Sequence, residues 1–163
     1  MKFTITINGK THDFNQSVMA QLLGDLHTIT NPRMVVVVTA GFLELFTNTL
    51  IEARCKNQER ILSDSRTYPW SAKKVLLHEI GVISDDELAL FDWFRKIRNR
   101  AAHRAFFDLT PDVLGECPKK PVPTGDSFRD FCTQMLLDWM NQHCELKHLT
   151  FSDAGDVKKK ERK

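Results

Sequence analysis

Ser84-Asp85-Asp86-Glu87 opens the stretch that most restricts how this chain can fold. A serine followed three residues later by glutamate is a capping box, and the acidic residues between them suit the positive end of a helix dipole. The helix that follows is amphipathic. At about 100° per residue, Leu90, Phe94, Ile97, Ala101 and Ala105 gather on one side, and Asp92, Lys96, Asn99 and His103 gather on the other. Arg98 and Ala102 lie on a flank. The pattern predicts one helix from Asp85 that buries an apolar stripe and presents a chemically loaded back.

The remaining segments are arranged around that helix. Phe3, Ile5 and Ile7 alternate with threonines and lead into Asn8-Gly9, so residues 1–14 read as a small hairpin. Ser17 to His27 has helical spacing, with Ser17 near its cap. Asn31-Pro32 then reads as a cap followed by proline at the first helical position. Met34 to Lys56 is ambiguous locally, because four consecutive valines prefer a strand. Phe42, Leu43, Leu45, Phe46, Leu50 and Ile51 nevertheless continue at helical spacing with no turn signal except Gly41. We read one long buried helix whose packing overrides the valines' preference.

Asn57 to Trp70 reads as a connection with a helical turn at Glu59 to Leu62. A short helix from Ser71 runs through Val75, Leu76 and Ile80 to a stop at Gly81. Thr110-Pro111 ends the helical pattern, and 108–125 is expected to be loop, with Pro118 to Gly125 exposed. Asp126 or Ser127 caps a last helix ending near His148. The expected fold is all-α: an up-and-down bundle of four to five helices in one domain over 1–151, with a basic disordered tail over 152–163.

Composition excludes more than it identifies. Among 163 residues, seven glycines and six prolines leave room for long helices. The net charge is +2, yet the tail from Lys158 holds five basic residues and Glu161, a local +4 that leaves the rest at −2. A slightly acidic body without a helix-turn-helix argues against a DNA-binding module. Cys55, Cys117, Cys132 and Cys144 show neither zinc spacing nor a Cys-x-x-Cys pair. The start of the chain does not read as a secretion signal, and the longest apolar run, Met34 to Ala40, is far short of a membrane span. These features predict a cytoplasmic protein with free thiols, no membrane association, no metal and no cofactor.

Arg98, Asn99 and His103 are the candidate site. Asn99 and His103 are four apart and therefore neighbours on a helix, and Arg98 is long enough to swing towards them. Imidazole exchanges a proton near neutral pH. Guanidinium offers a planar fork for a phosphate and its transition-state charge. Cleavage of RNA needs little more, because the attacking 2′-hydroxyl belongs to the substrate. Lys96, Arg100 and Arg104 surround the trio and can hold flanking phosphates. A solvated polar face would carry the same residues, with His103 capping a neighbouring element and Arg98 pairing with Asp92 or Asp108. His143, Cys144 and His148 are too few for a metal site and read as surface residues. Trp93 and Trp139 read as packing. Phe106 and Phe107 read as cover for the end of the bundle, although they could also stack on a base.

Arg98-Asn99-Arg100-Ala101-Ala102-His103 resembles the Arg-x(4–6)-His motif of the HEPN superfamily, in the form with a polar residue after the arginine. Upstream, Ser71-Ala72-Lys73-Lys74-Val75-Leu76-Leu77 and Ile80-Gly81-Val82-Ile83 are similar to the layout of its mannitol-operon-repressor-like members. The resemblance is specific over 71–107 and extends in layout over 33–150. It implies a helical bundle and a homodimer whose motif helices share a cleft. It also implies a metal-independent endoribonuclease in which Arg98, Asn99 and His103 are catalytic. Such proteins act as toxins held by an antitoxin, or in defence. The mannitol-repressor branch implies the alternative of a non-catalytic regulator working through a protein partner. The hairpin is not part of the family pattern.

Overall fold

The computed structural model describes residues 3–7, 10–14, 23–120 and 127–143, with side chains from residue 23 onward. The described chain is a helical bundle. Its helices are α1 (Pro32–Arg54), α2 (Gln58–Ser63), α3 (Trp70–Glu79), α4 (Asp85–His103), α5 (Pro111–Leu114) and α6 (Phe128–His143), preceded by a helical stretch over 23–28. Phe3–Ile7 and Lys10–Phe14 pair antiparallel, with Phe3 opposite Phe14. The turn between them, the start of the helix expected from Ser17, the end of the last helix and the basic tail all lie outside the described residues.

Local chemistry starts the helices. The Asn31 side chain accepts from the Arg33 N–H at 2.9 Å, and Pro32 occupies the first position, where no donor is missed. The four valines are helical, as the continuing period requires. Val35 and Val36 are buried among ten buried residues of α1, so tertiary burial decides against their strand propensity. At Ser84 both halves of the capping box form: the hydroxyl accepts from the Glu87 N–H, and Glu87 Oε2 accepts from the Ser84 N–H at 2.7 Å. Gly81 follows α3 with φ 71, while its N–H and that of Val82 reach back to the carbonyls of His78 and Leu77. That left-handed closure favours glycine.

Helix α4 packs against α1 and α3, and its rings meet those of α6. Arg33 at the start of α1 reaches the carbonyls of Arg104 and Ala105 just past its end, so the two helices run antiparallel. Phe128 packs near Trp93 and Phe94, and His143 bonds to Glu87, so α6 is antiparallel to α4 as well. Aromatic rings knit the three together. Trp139 sits edge-on to Phe46 at 5.1 Å and to Phe91 at 4.8 Å, within the favourable range for ring pairs. Trp93 and Trp139 are therefore packing residues, as expected.

By length and composition α1 passes as a membrane-crossing helix, with a mean hydropathy of 1.8 over its most apolar window. A search for a continuous apolar run misses this because polar residues interrupt the helix. Here the helix instead lines the core, against α2, α3, α4 and α6.

Four expectations need correction. Helix α4 ends at His103, so Ala105 is exposed rather than part of the buried stripe, while Phe91 and Trp93 join that stripe. The interval 108–125 is not all loop: Thr110 caps α5, and Leu109, Val113, Leu114 and Cys117 are buried. The Thr-Pro pair does not stop α4, which has already ended at His103; it starts the next helix. Phe106 does not cover the bundle, being 94% exposed, although Phe107 packs against the core.

The fourth correction concerns α3, which begins at Trp70 and turns its faces against the sequence pattern. Val75 and Ile80 are exposed, whereas Lys73, Lys74 and Leu77 are buried. Lys74 pairs with Asp92 of α4, and Lys73 donates to the Asn48 side chain of α1 at 3.0 Å. Burial pulls the Lys74 ammonium below the usual lysine range, against the opposing pull of Asp92.

Candidate active site on the fourth helix

The sites proposed from sequence occupy the last two turns of α4. The buried side of those turns is held by Ile97 and Ala101, 0% and 1% exposed, so the outward groups stand on a fixed support. Arg98 Nη1 donates weakly to Asn99 Oδ1 at 3.4 Å. Among the described residues Arg98 has no acidic partner. Asp92, one candidate for that pairing, is taken by Lys74 and lies 3.6 Å from Arg95 Nε, while Asp108 accepts from the Leu109 N–H. His103, one turn on from Asn99, is exposed and makes no hydrogen bond or ion pair among the described residues. It does not cap a neighbouring element.

The flanking cations divide into two groups. Lys96 and Arg100 both reach Glu116, at 3.3 and 3.1 Å, and hold its carboxyl below the usual carboxylate range, Arg100 foremost. Exposed pairs of this kind contribute little to stability, so a stronger anion can compete for these cations. Arg104 is exposed, and its backbone caps the helix end. Arg33 clamps the carbonyls of Arg104 and Ala105 at 2.6 and 2.8 Å, which satisfies helix-end acceptors and fixes where the chain leaves the site.

Arg98 and Asn99, together with Arg95, line a cleft of about 470 Å³ between α4, the middle of α1 and the residues leading into α3. His103 stands outside its lining, nearer the end of the helix. The trio is thus split: two members border a cleft and the third stands outside it, one turn away. Sequence reasoning missed the residues that the approach to α3 brings to this cleft, namely Tyr68, Trp70 and Lys73. A polar connection and a helix with its faces reversed carry no periodic signal that could have found them.

Elsewhere, His143 is not the surface residue expected. It is half-buried and bonded to Glu87 Oε1. Burial works to raise the Glu87 carboxyl, but the bonds from His143 and Ser84 outweigh it and leave it below the usual range. No cluster of three or more metal-binding side chains occurs among the described residues. Cys55, Cys117 and Cys132 are free thiols, and burial pushes Cys132 far up, so it is a poor nucleophile.

No family model matches this chain, and no curated protein or solved structure is similar enough to it to count as a match.

Proposed function

We propose that this protein is a metal-independent endoribonuclease of HEPN type, cutting RNA at a site centred on Arg98, Asn99 and His103 and shared across a homodimer in the cytoplasm. One observation carries the reading. On the outer side of a rigid helix, a guanidinium touches an amide, an imidazole stands one turn further on, and neither the guanidinium nor the imidazole has an acidic partner among the described residues.

The chemistry follows from those groups. Arg98 binds the scissile phosphate and offsets the charge that builds on its oxygens as the 2′-hydroxyl oxygen attacks phosphorus. His103 removes the hydroxyl proton or delivers one to the departing 5′-oxygen. Asn99 holds Arg98 and hydrogen-bonds the substrate. A single imidazole cannot perform both proton transfers at once. A second subunit would bring a second His103, which is why the homodimer belongs to the proposal. Arg104, Lys96 and Arg100 steer flanking phosphates, the last two after releasing Glu116.

The test is cleavage of end-labelled RNA in the presence of a chelator by the wild type and by His103→Ala. Loss of at least about a hundredfold in rate is expected, within the range for a general acid or base. Equal cleavage by both proteins, or none by either, overturns the enzymatic reading. A non-catalytic regulator acting through protein contact is favoured by a different observation. Met34, Val37 and Leu45 are exposed apolar residues on α1, with Val37 bordering the cleft itself. A dimer that forms in solution and cuts no RNA is the outcome that selects it.

A further inference from the structure

The cleft beside Arg98 has a composition that a surface dimple does not require. Lys73, Arg95 and Arg98 bring three cations to it, against one carboxylate, Glu44. Its rings are Tyr68, half-buried, and Trp70, whose indole donates to Thr47 Oγ1 at 3.0 Å and packs 6.2 Å from Phe91. These bonds fix the indole plane before anything binds. Arg95 Nε is shielded from solvent and has no hydrogen-bond partner among the described residues, since Asp92 at 3.6 Å is too far for one. Lys73 is 5% exposed, with Asn48 as its partner among the described residues.

A lining with more cations than carboxylates favours an anion, a fixed indole beside a phenol suits a flat ring system, and the volume lies within the range of small-ligand sites. The two features meet in one chemical unit. We propose that this cleft seats one nucleotide of single-stranded RNA, its base against Tyr68 and Trp70 and its phosphate between Lys73, Arg95 and Arg98. Stacking on such rings accepts any base and requires an unpaired one, so the site selects strand state over sequence. The inference deepens the ribonuclease reading and rests on it for the identity of the strand. The seated nucleotide would set which neighbouring phosphate reaches His103, about one helical turn away along α4.

Binding and cutting are separable in the test. The probe is a fluorescein-labelled 2′-O-methyl pentaribonucleotide, which cannot be cleaved because its attacking hydroxyl is blocked. Wild-type protein is expected to bind it at low salt with partial quenching of tryptophan fluorescence, and Trp70→Phe should lose that quenching. Arg95→Gln and Tyr68→Leu should each weaken binding at least tenfold, whereas Arg60→Gln, which removes a cation outside the cleft lining, should leave it unchanged. Circular dichroism establishes that each variant is folded. No binding by the wild type, wild-type affinity in both cleft variants, or an equal loss in Arg60→Gln overturns the proposal. A solution dimer that Tyr68→Leu converts to monomer, with no oligonucleotide bound, identifies the cleft as a subunit contact and overturns it too. The two readings fail differently. Oligonucleotide binding without any RNA cleavage removes the enzyme and keeps the subsite. His103-dependent cleavage with KM unchanged in Arg95→Gln removes the subsite and keeps the enzyme.

Discussion

Helices α3 and α4 pack against each other and treat charge in opposite ways. Helix α4 buries Leu90, Phe91, Phe94 and Ile97 and turns most of its charge outward. Helix α3 buries Lys73 and Lys74 and leaves Val75 and Ile80 in solvent. The difference lies in what each helix meets. Helix α4 is surrounded by apolar faces of α1 and α6, so its hydrophobic stripe is its address in the fold. Helix α3 meets Asp92 on the polar back of α4 and Asn48 on α1, so an ammonium placed there finds a partner that a methyl group would not. One helix therefore holds its position by excluding water, whereas the other adds matched polar groups to its buried Leu77. The face of α4 left over from both contacts carries Arg98, Asn99 and His103.

The sharpest way to break this contrast is to empty the apolar side of α4. Phe94→Ala is expected to cost about 3–5 kcal/mol, as large-to-small changes at fully enclosed aromatics do, measured by urea unfolding. A cost under about 1 kcal/mol would mean that the α4 stripe is not what seats the helix.

The polar contact is tested next. Asp92→Asn leaves the buried Lys74 ammonium without its counter-charge and should cost about 2 kcal/mol. Asp92 is itself half-exposed, so this is less than the roughly 3–5 kcal/mol of a fully enclosed pair. Lys74→Met should cost less than Asp92→Asn, because it removes the charge that needs a partner. The reverse order would show that the Lys74 ammonium stabilises α3 by more than its pairing with Asp92.

On the outward face the expectation is kinetic. Arg98→Ala should lower kcat/KM for RNA by at least about tenfold, or about 1.4 kcal/mol of transition-state stabilisation. Arg100→Ala should lower it about twofold, because Glu116 already neutralises that cation. Equal losses would place the phosphate between the two faces rather than at Arg98.

Acid sensitivity separates the start of α4 from the rest. The folded-state carboxyl of Glu87 lies below its unfolded value, so its contribution is complete above about pH 4.5 and is lost as the pH falls through the folded value. Glu87→Gln should therefore flatten the fall in urea midpoint between pH 5 and pH 3. An unchanged slope would assign acid unfolding to other carboxylates. The smallest effect belongs to the exposed side of α3, where Val75→Ser should change stability by no more than about 0.5 kcal/mol.

Much of the architecture was legible in the residues. The capping box at Ser84, the Asn31-Pro32 start and the run through four valines were readable because each depends on neighbours within a turn, or on a period longer than any local conflict. The motif positions on the back of α4 were readable for the same reason, since spacing alone sets which residues share a helix face. The reversed faces of α3, the burial of Leu109 to Cys117 and the His143–Glu87 bond were not. Each depends on a partner that is remote in sequence, and a Thr-Pro pair reads equally as the end of one helix or the start of another.

The sequence by itself determined where α1 and α4 begin and which residues α4 can present together, because hydrogen bonds to the next turn and a 3.6-residue period are properties of the local chain. Tertiary structure alone decided that two lysines are buried, that Lys96 and Arg100 face Glu116 while Arg98 has no acidic partner among the described residues, and that Arg98 borders a cleft with Tyr68 and Trp70. A charge is stable where its counter-charge lies, and that position is set by how the helices pack.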